Sequence, residues 1–114
     1  MDYQKNELKN LFTELYSKSK FIHDKLMRSN NKIDAISQID IFELYSTYSS
    51  IKIFFAIEIT LQHHELSEVL QDFVVFYNEV KDIYLENDRN TSWLDSAFRI
   101  YEEHYNTALL LFNN

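Results

Sequence analysis

The sequence predicts an all-α fold, an antiparallel four-helix bundle of up-down-up-down topology, and three observations carry that prediction. The chain has no Gly, no Pro and no Cys, so the tight turns and bulges that close a multistranded sheet lack the residues that build them, whereas helices tolerate the absence. Apolar residues recur at spacings of three and four in four stretches, the mark of helical faces. Between those stretches lie short clusters of Asn, Ser, Asp and Thr, whose side chains compete for backbone hydrogen bonds and stop helices. At 114 residues, 46% hydrophobic and 25% charged, the chain reads as one globular domain, 1–114.

Helix one is expected over about 4–28. Leu8, Leu11, Phe12, Leu15, Ile22 and Leu26 form its face, with Ser19 in the gap and His23 packed among the core positions, and Ser29-Asn30-Asn31 ends it. Helix two is expected over about 36–62. Asp34, Ser37 and Asp40 are candidate N-caps, and Asp40 with Glu43 has capping-box spacing. Ile41, Leu44, Tyr45, Tyr48, Ile51, Phe55 and Ile59 continue it.

Ile51, Ile53, Phe55, Ile57, Ile59 and Leu61 also alternate at the period of a strand. A lone strand would leave its backbone groups unpaired, and no second segment supplies a partner, so the helix is preferred. Because it is apolar nearly all round, it is expected to be the buried central helix.

His63-His64-Glu65-Leu66-Ser67 is the expected break, and a hairpin is preferred there over one continuous helix, which from 40 to 86 would be roughly 70 Å long. Helix three, about 66–87, carries the face Leu66, Val69, Leu70, Phe73, Tyr77, Val80 and Tyr84. A polar loop at 87–92 follows, and Ser92 with Asp95 has capping-box spacing at the start of helix four, about 92–112. Its face is Leu94, Ala97, Phe98, Tyr101, Tyr105, Ala108, Leu109 and Phe112, widened by Trp93, Ile100, His104 and Leu111.

The net charge of −7 is unevenly placed: residues 1–57 hold eight Lys and Arg against seven Asp and Glu, residues 58–114 three against eleven. That opposes direct nucleic-acid binding, which depends on neutralising phosphates, and it permits a basic protein partner. The acids of helix three fall together. Glu65, Asp72, Glu79 and Glu86 recur every seven residues with Glu68 and Asp82 beside them, so all six occupy a sector of roughly 100° opposite the apolar face. Val75 lies inside that sector and Phe76 at its edge, and apolar groups within a charged rim are the composition of a protein interface. These eight residues are the candidate partner-binding surface, against the plainer expectation that such a stripe only keeps the protein soluble.

Other chemistry is sparse. Without Gly there is no Gly-rich phosphate loop, and without Cys no thiolate site or thiol nucleophile. His64 and Glu68 are one i,i+4 pair, and two ligands do not make a zinc site. No metal or cofactor is expected. The N-terminus lacks the apolar segment of a signal peptide, and the apolar run at 51–61 is too short to span a bilayer, so the expectation is a cytoplasmic protein without a membrane role. Abundant Ile, Asn, Lys, Phe and Tyr beside four Ala point, through the genetic code, to AT-rich coding DNA, as in a low-GC bacterium, its phage or a mobile element.

Arg99-Ile-Tyr-Glu-Glu-His104 resembles the Arg, four-to-six residues, His motif of HEPN-superfamily ribonucleases, small α-helical domains often found in toxin systems. The resemblance spans six residues. It implies RNA cleavage at a site shared by Arg99 and His104, usually across a dimer, although Ile100 stands where a polar residue commonly follows the family's Arg. On a regular helix the two side chains point about 140° apart. The expectation taken forward is a non-enzymatic acidic inhibitor of the immunity-protein, antitoxin or phage anti-defence type, binding a basic, nucleic-acid-acting partner. A helical ribonuclease using Arg99 and His104, and a non-catalytic structural or adaptor subunit, are the alternatives.

Overall fold

The computed structural model describes residues 2–28, 36–58, 63–86 and 91–113; it is 95% helical, and no strand occurs among the described residues. Among the described residues four helices form an antiparallel up-down-up-down bundle: α1 (Asp2–Arg28), α2 (Gln38–Ile57), α3 (His64–Glu86) and α4 (Ser92–Leu109), which tightens into a 3₁₀ turn at Leu110–Asn113. α1 lies between α2 and α4, α4 makes its broadest contact with α3, and α3 touches α2 more lightly. At 1.5 Å per residue α1 is about 40 Å long, which accounts for most of the 46 Å long axis of the molecule.

Local chemistry sets the helix ends. The Ser37 hydroxyl accepts from the Asp40 amide at 3.2 Å, and the Asp40 carboxylate accepts from the Ser37 amide at 2.9 Å. This is the capping box of α2, so the Asp40 and Glu43 pairing is replaced by one three residues earlier. At the other end the Glu58 amide donates to the Phe54 carbonyl at 2.8 Å. α3 begins at His64, two residues before the expected start, and its first turn is held by the Ser67 amide on the His63 carbonyl. The break therefore precedes His64 rather than running through Ser67. α4 starts after Thr91, which makes no side-chain capping bond, and the Ser92 and Asp95 box does not form. Residues 51–57 are helical. Asp34, Ile59, Leu61 and the loop clusters at 29–31 and 87–90 lie outside the described residues.

The core is aromatic at its centre. Tyr101 of α4 meets Phe73 of α3 edge-on at 5.8 Å and stacks on Phe76 at 6.1 Å, while Tyr16 of α1 stacks on Tyr105 at 4.2 Å. Leu8, Phe12, Leu15, Leu44, Ile51, Val69 and Leu94 fill the space around these rings, none more than 2% exposed.

Two expected faces are corrected by this packing. α2 is not the buried central helix: its inner side is Leu44, Thr47, Ile51 and Phe55, while Ile39, Phe42, Ile53 and Ile57 are 61–73% exposed. An apolar sequence does not say which side is covered, and α1 and α3 cover only one. The buried face of α3 is turned by about 30° toward its acids, taking in Phe76 and Ile83 and leaving Tyr77 and Tyr84 half-buried, because α4 covers that flank more fully than α2 covers the other.

Candidate partner-binding face

The rotation of α3 redistributes the eight residues of the acidic sector. Glu65, Asp82 and Glu86 are exposed, Val75 is 55% exposed, and Glu68 and Glu79 are half-buried. Phe76 is not a surface contact: it is fully buried against Phe73, Phe98 and Tyr101. Asp72 does not face away from the bundle either. Its carboxylate is hydrogen-bonded to His104 Nδ1 of α4, and its side chain retains 18% exposure.

His104 is thus the seam between α3 and α4. Its Nε2 lies 3.6 Å from Glu68 Oε1, and Glu68 Oε2 in turn lies 3.8 Å from His64 Nε2. The Asp72 hydrogen bond, reinforced by the charges of Asp72, Glu68 and Glu103, raises the His104 pKa above its ordinary 6.5 against a smaller opposing effect of burial.

Beside this seam α4 adds two apolar side chains that the sequence reading placed in the core. Ile100, next to the buried Tyr101, is 50% exposed, and Trp93 is 67% exposed. The antiparallel register fixed by Asp72 with His104 and by Phe76 with Tyr101 sets Val75 and Ile100 at the same level along the two helices. Trp93 lies further along the same edge of α4, toward the end of α3 that carries Asp82 and Glu86. Val75, Ile100 and Trp93 are thus exposed apolar side chains on α3 and α4, with the acids of α3 beside them. The only Lys or Arg of α3, Lys81, sits over the Tyr77 ring at 5.1 Å, on the side facing α2. The signal for Ile100 and Trp93 was present in the sequence, since both lie on the shoulder of the α4 face rather than at its centre.

On the opposite flank of α4 a second polar group ties it to α1. His23, buried and stacked on Phe98 at 4.2 Å, places Nδ1 3.0 Å from Asp24 Oδ1 and Nε2 2.9 Å from Asp95 Oδ1. Arg99 Nε donates to Asp95 Oδ2 at 2.8 Å. The Asp95 carboxyl is held below its ordinary 3.8 by Arg99 first and His23 second, that of Asp24 by His23. Arg99 and His104 therefore leave α4 toward different neighbours, the α1 edge and α3, and do not share a site within one chain.

Among the described residues no group of three His, Cys, Asp or Glu is placed to hold a metal ion, and no helix is long and apolar enough to cross a membrane. Comparison with protein-family models, with curated proteins and with solved structures finds no match.

Proposed function

We propose that this chain is a small acidic inhibitor of the immunity-protein, antitoxin or phage anti-defence type, and that the α3/α4 face covers a basic, nucleic-acid-acting protein. The observation that carries the proposal is the exposure of Val75, Ile100 and Trp93 along a margin whose charged residues on α3 are acids only. Exposed apolar groups of this size mark contact surfaces, and a single sign of charge beside them steers an oppositely charged partner. Glu65, Asp82 and Glu86 supply the steering, with Glu68 and Glu79 nearer the seam. Phe76 drops out of the contact, and Asp72 serves the fold.

The test uses the basic protein that co-purifies from the native host, or the product of the adjacent gene. Asp82→Lys combined with Glu86→Lys is expected to slow association about tenfold and to flatten its salt dependence, with the melting temperature unchanged because both residues are exposed. Val75→Ala and Ile100→Ala are expected to speed dissociation instead. Association that is insensitive to salt and to the double reversal would reduce the stripe to a solvated face. Cleavage of RNA by the purified protein, lost in Arg99→Ala and in His104→Ala, would put the ribonuclease in its place.

A further inference from the structure

Among the described residues the outer face of α2 has no partner. At 100° per residue Ile39, Phe42, Ser46, Ser49, Ser50, Ile53, Ala56 and Ile57 share one sector of about 120°, and none carries a charge. Ile39, Phe42, Ile53 and Ile57 are 68, 71, 61 and 73% exposed. At one margin of the sector Glu43 pairs with Lys18 of α1, and at the other the Tyr45 ring lies 6.0 Å from the Tyr77 ring of α3, with exposed Lys52 beyond it.

We infer that this face binds a second copy of the same chain, with the two α2 helices antiparallel about a two-fold axis beside residue 48. The order of residues along the stripe is the first reason. Ile39 and Ile57, Phe42 and Ile53, and Ser46 and Ser50 are each centred on position 47.5 or 48. An isologous interface requires that if i meets j then j meets i, and this stripe meets its own reversed copy with large residues at both ends and hydroxyls in the middle. The three serines permit the helix axes to approach where they cross. Ser50 already returns its hydroxyl to the Ser46 carbonyl at 3.1 Å, so that one hydroxyl stays satisfied when the interface closes over it. At the N-terminal end Gln38, Ile39 and Phe42 line a shallow hollow, which the partner's Ile57 would enter.

Area and charge agree with that occupant. The four large residues expose on the order of 140 Å² each, and with Ser46, Ser50 and Ala56 the stripe offers at most about 700 Å² per copy, or ~1,400 Å² for a pair that covers all of it, which reaches the usual size of a specific interface. Two copies of charge −7 repel, but the excess acid lies in residues 58–114, and the meeting face belongs to the nearly neutral half. A lipid surface is a poorer fit, since interfacial helices flank their apolar stripe with Lys and Arg, and α2 has only Lys52.

The chain has no cysteine, so single-cysteine variants report the geometry directly. The wild-type protein is expected to sediment at twice 13.8 kDa. Phe42→Lys and Ile53→Lys should each give a monomer whose circular dichroism is unchanged, because both positions are exposed. Ser49→Cys should cross-link to itself under mild oxidation. Ile39→Cys should not, since its two copies would stand about 27 Å apart, yet it should cross-link when mixed with Ile57→Cys. A monomer at every concentration up to about 1 mM overturns the inference, as does a dimer that survives both Lys variants. Self-cross-linking of Ile39→Cys would reject the antiparallel geometry, and pelleting with neutral or anionic lipid vesicles, lost in the Lys variants, would assign the face to a membrane instead.

Discussion

Tyr101 is the largest fully buried side chain of the bundle, and its hydroxyl has no hydrogen-bond partner among the described residues. Burial pushes the phenol pKa well above its ordinary value, with the neighbouring Ser19 hydroxyl offsetting only part of that; Ser19 itself donates to the Leu15 carbonyl at 2.7 Å. A buried hydroxyl without a partner costs about 1 kcal/mol or more. Tyr101→Phe is therefore expected to raise the unfolding free energy by about 1 kcal/mol in urea titrations, whereas Phe98→Ala, which opens a cavity among rings, should lower it by about 3 to 5 kcal/mol. A loss of stability in Tyr101→Phe would show that Ser19 satisfies the phenol after all. Phe73, Phe98 and Tyr101 were legible as core from spacing because they stand at the centre of their faces. Phe76 and Asp72 stand at an edge, where the identity of the neighbouring helix decides between core and surface.

At the scale of the helix, two identical local signals have opposite outcomes. Ser37-Gln-Ile-Asp40 and Ser92-Trp-Leu-Asp95 share one spacing, and only the first forms a reciprocal cap. The Asp95 carboxylate is engaged instead by His23 of α1 and by Arg99 one turn on in its own helix. Sequence shows the spacing but not the competitor. For α2, Ser37→Ala is expected to cost about 1 kcal/mol in thermal or chemical unfolding, and a neutral result would mean that the box adds nothing to a helix already held by α1. The helical state of 51–57 was readable from the lack of a partner strand, whereas the side on which α2 is covered was not, since its apolar residues surround the axis.

For the whole molecule, three shifted groups define a pH window. Asp24 and Asp95 have folded pKa values below their ordinary 3.8, so their contribution is present above that value and is lost as pH falls through the folded pKa. His104 has a folded pKa above 6.5, so its contribution is complete below 6.5 and is lost as pH rises through the folded value. Stability should peak between about pH 4 and 6.5. Melting temperatures across pH 3 to 9 should show the alkaline decline diminished in His104→Gln and the acid decline diminished in Asp95→Asn, each variant being less stable than wild type at its own end of the peak. The four-helix architecture was readable from the sequence because period, loop chemistry and composition agree. The candidate face was readable in part, since its charge is a property of the chain, whereas its apolar residues depend on the register of α3 against α4.

The hydrogen bond from Tyr16 to Glu102 joins residues 86 apart, and that between His104 and Asp72 joins residues 32 apart. Closing the longer loop costs about 0.9 kcal/mol more in chain entropy than closing the shorter. The α3/α4 hairpin is therefore the cheaper contact to close, and the ring stack of Tyr16 on Tyr105 carries the cost of the longer loop. During synthesis the order of appearance is the reverse: α1 and α2 leave the ribosome first, and α1 must keep Phe12, Leu15 and Tyr16 without their α4 partners until that helix has been made.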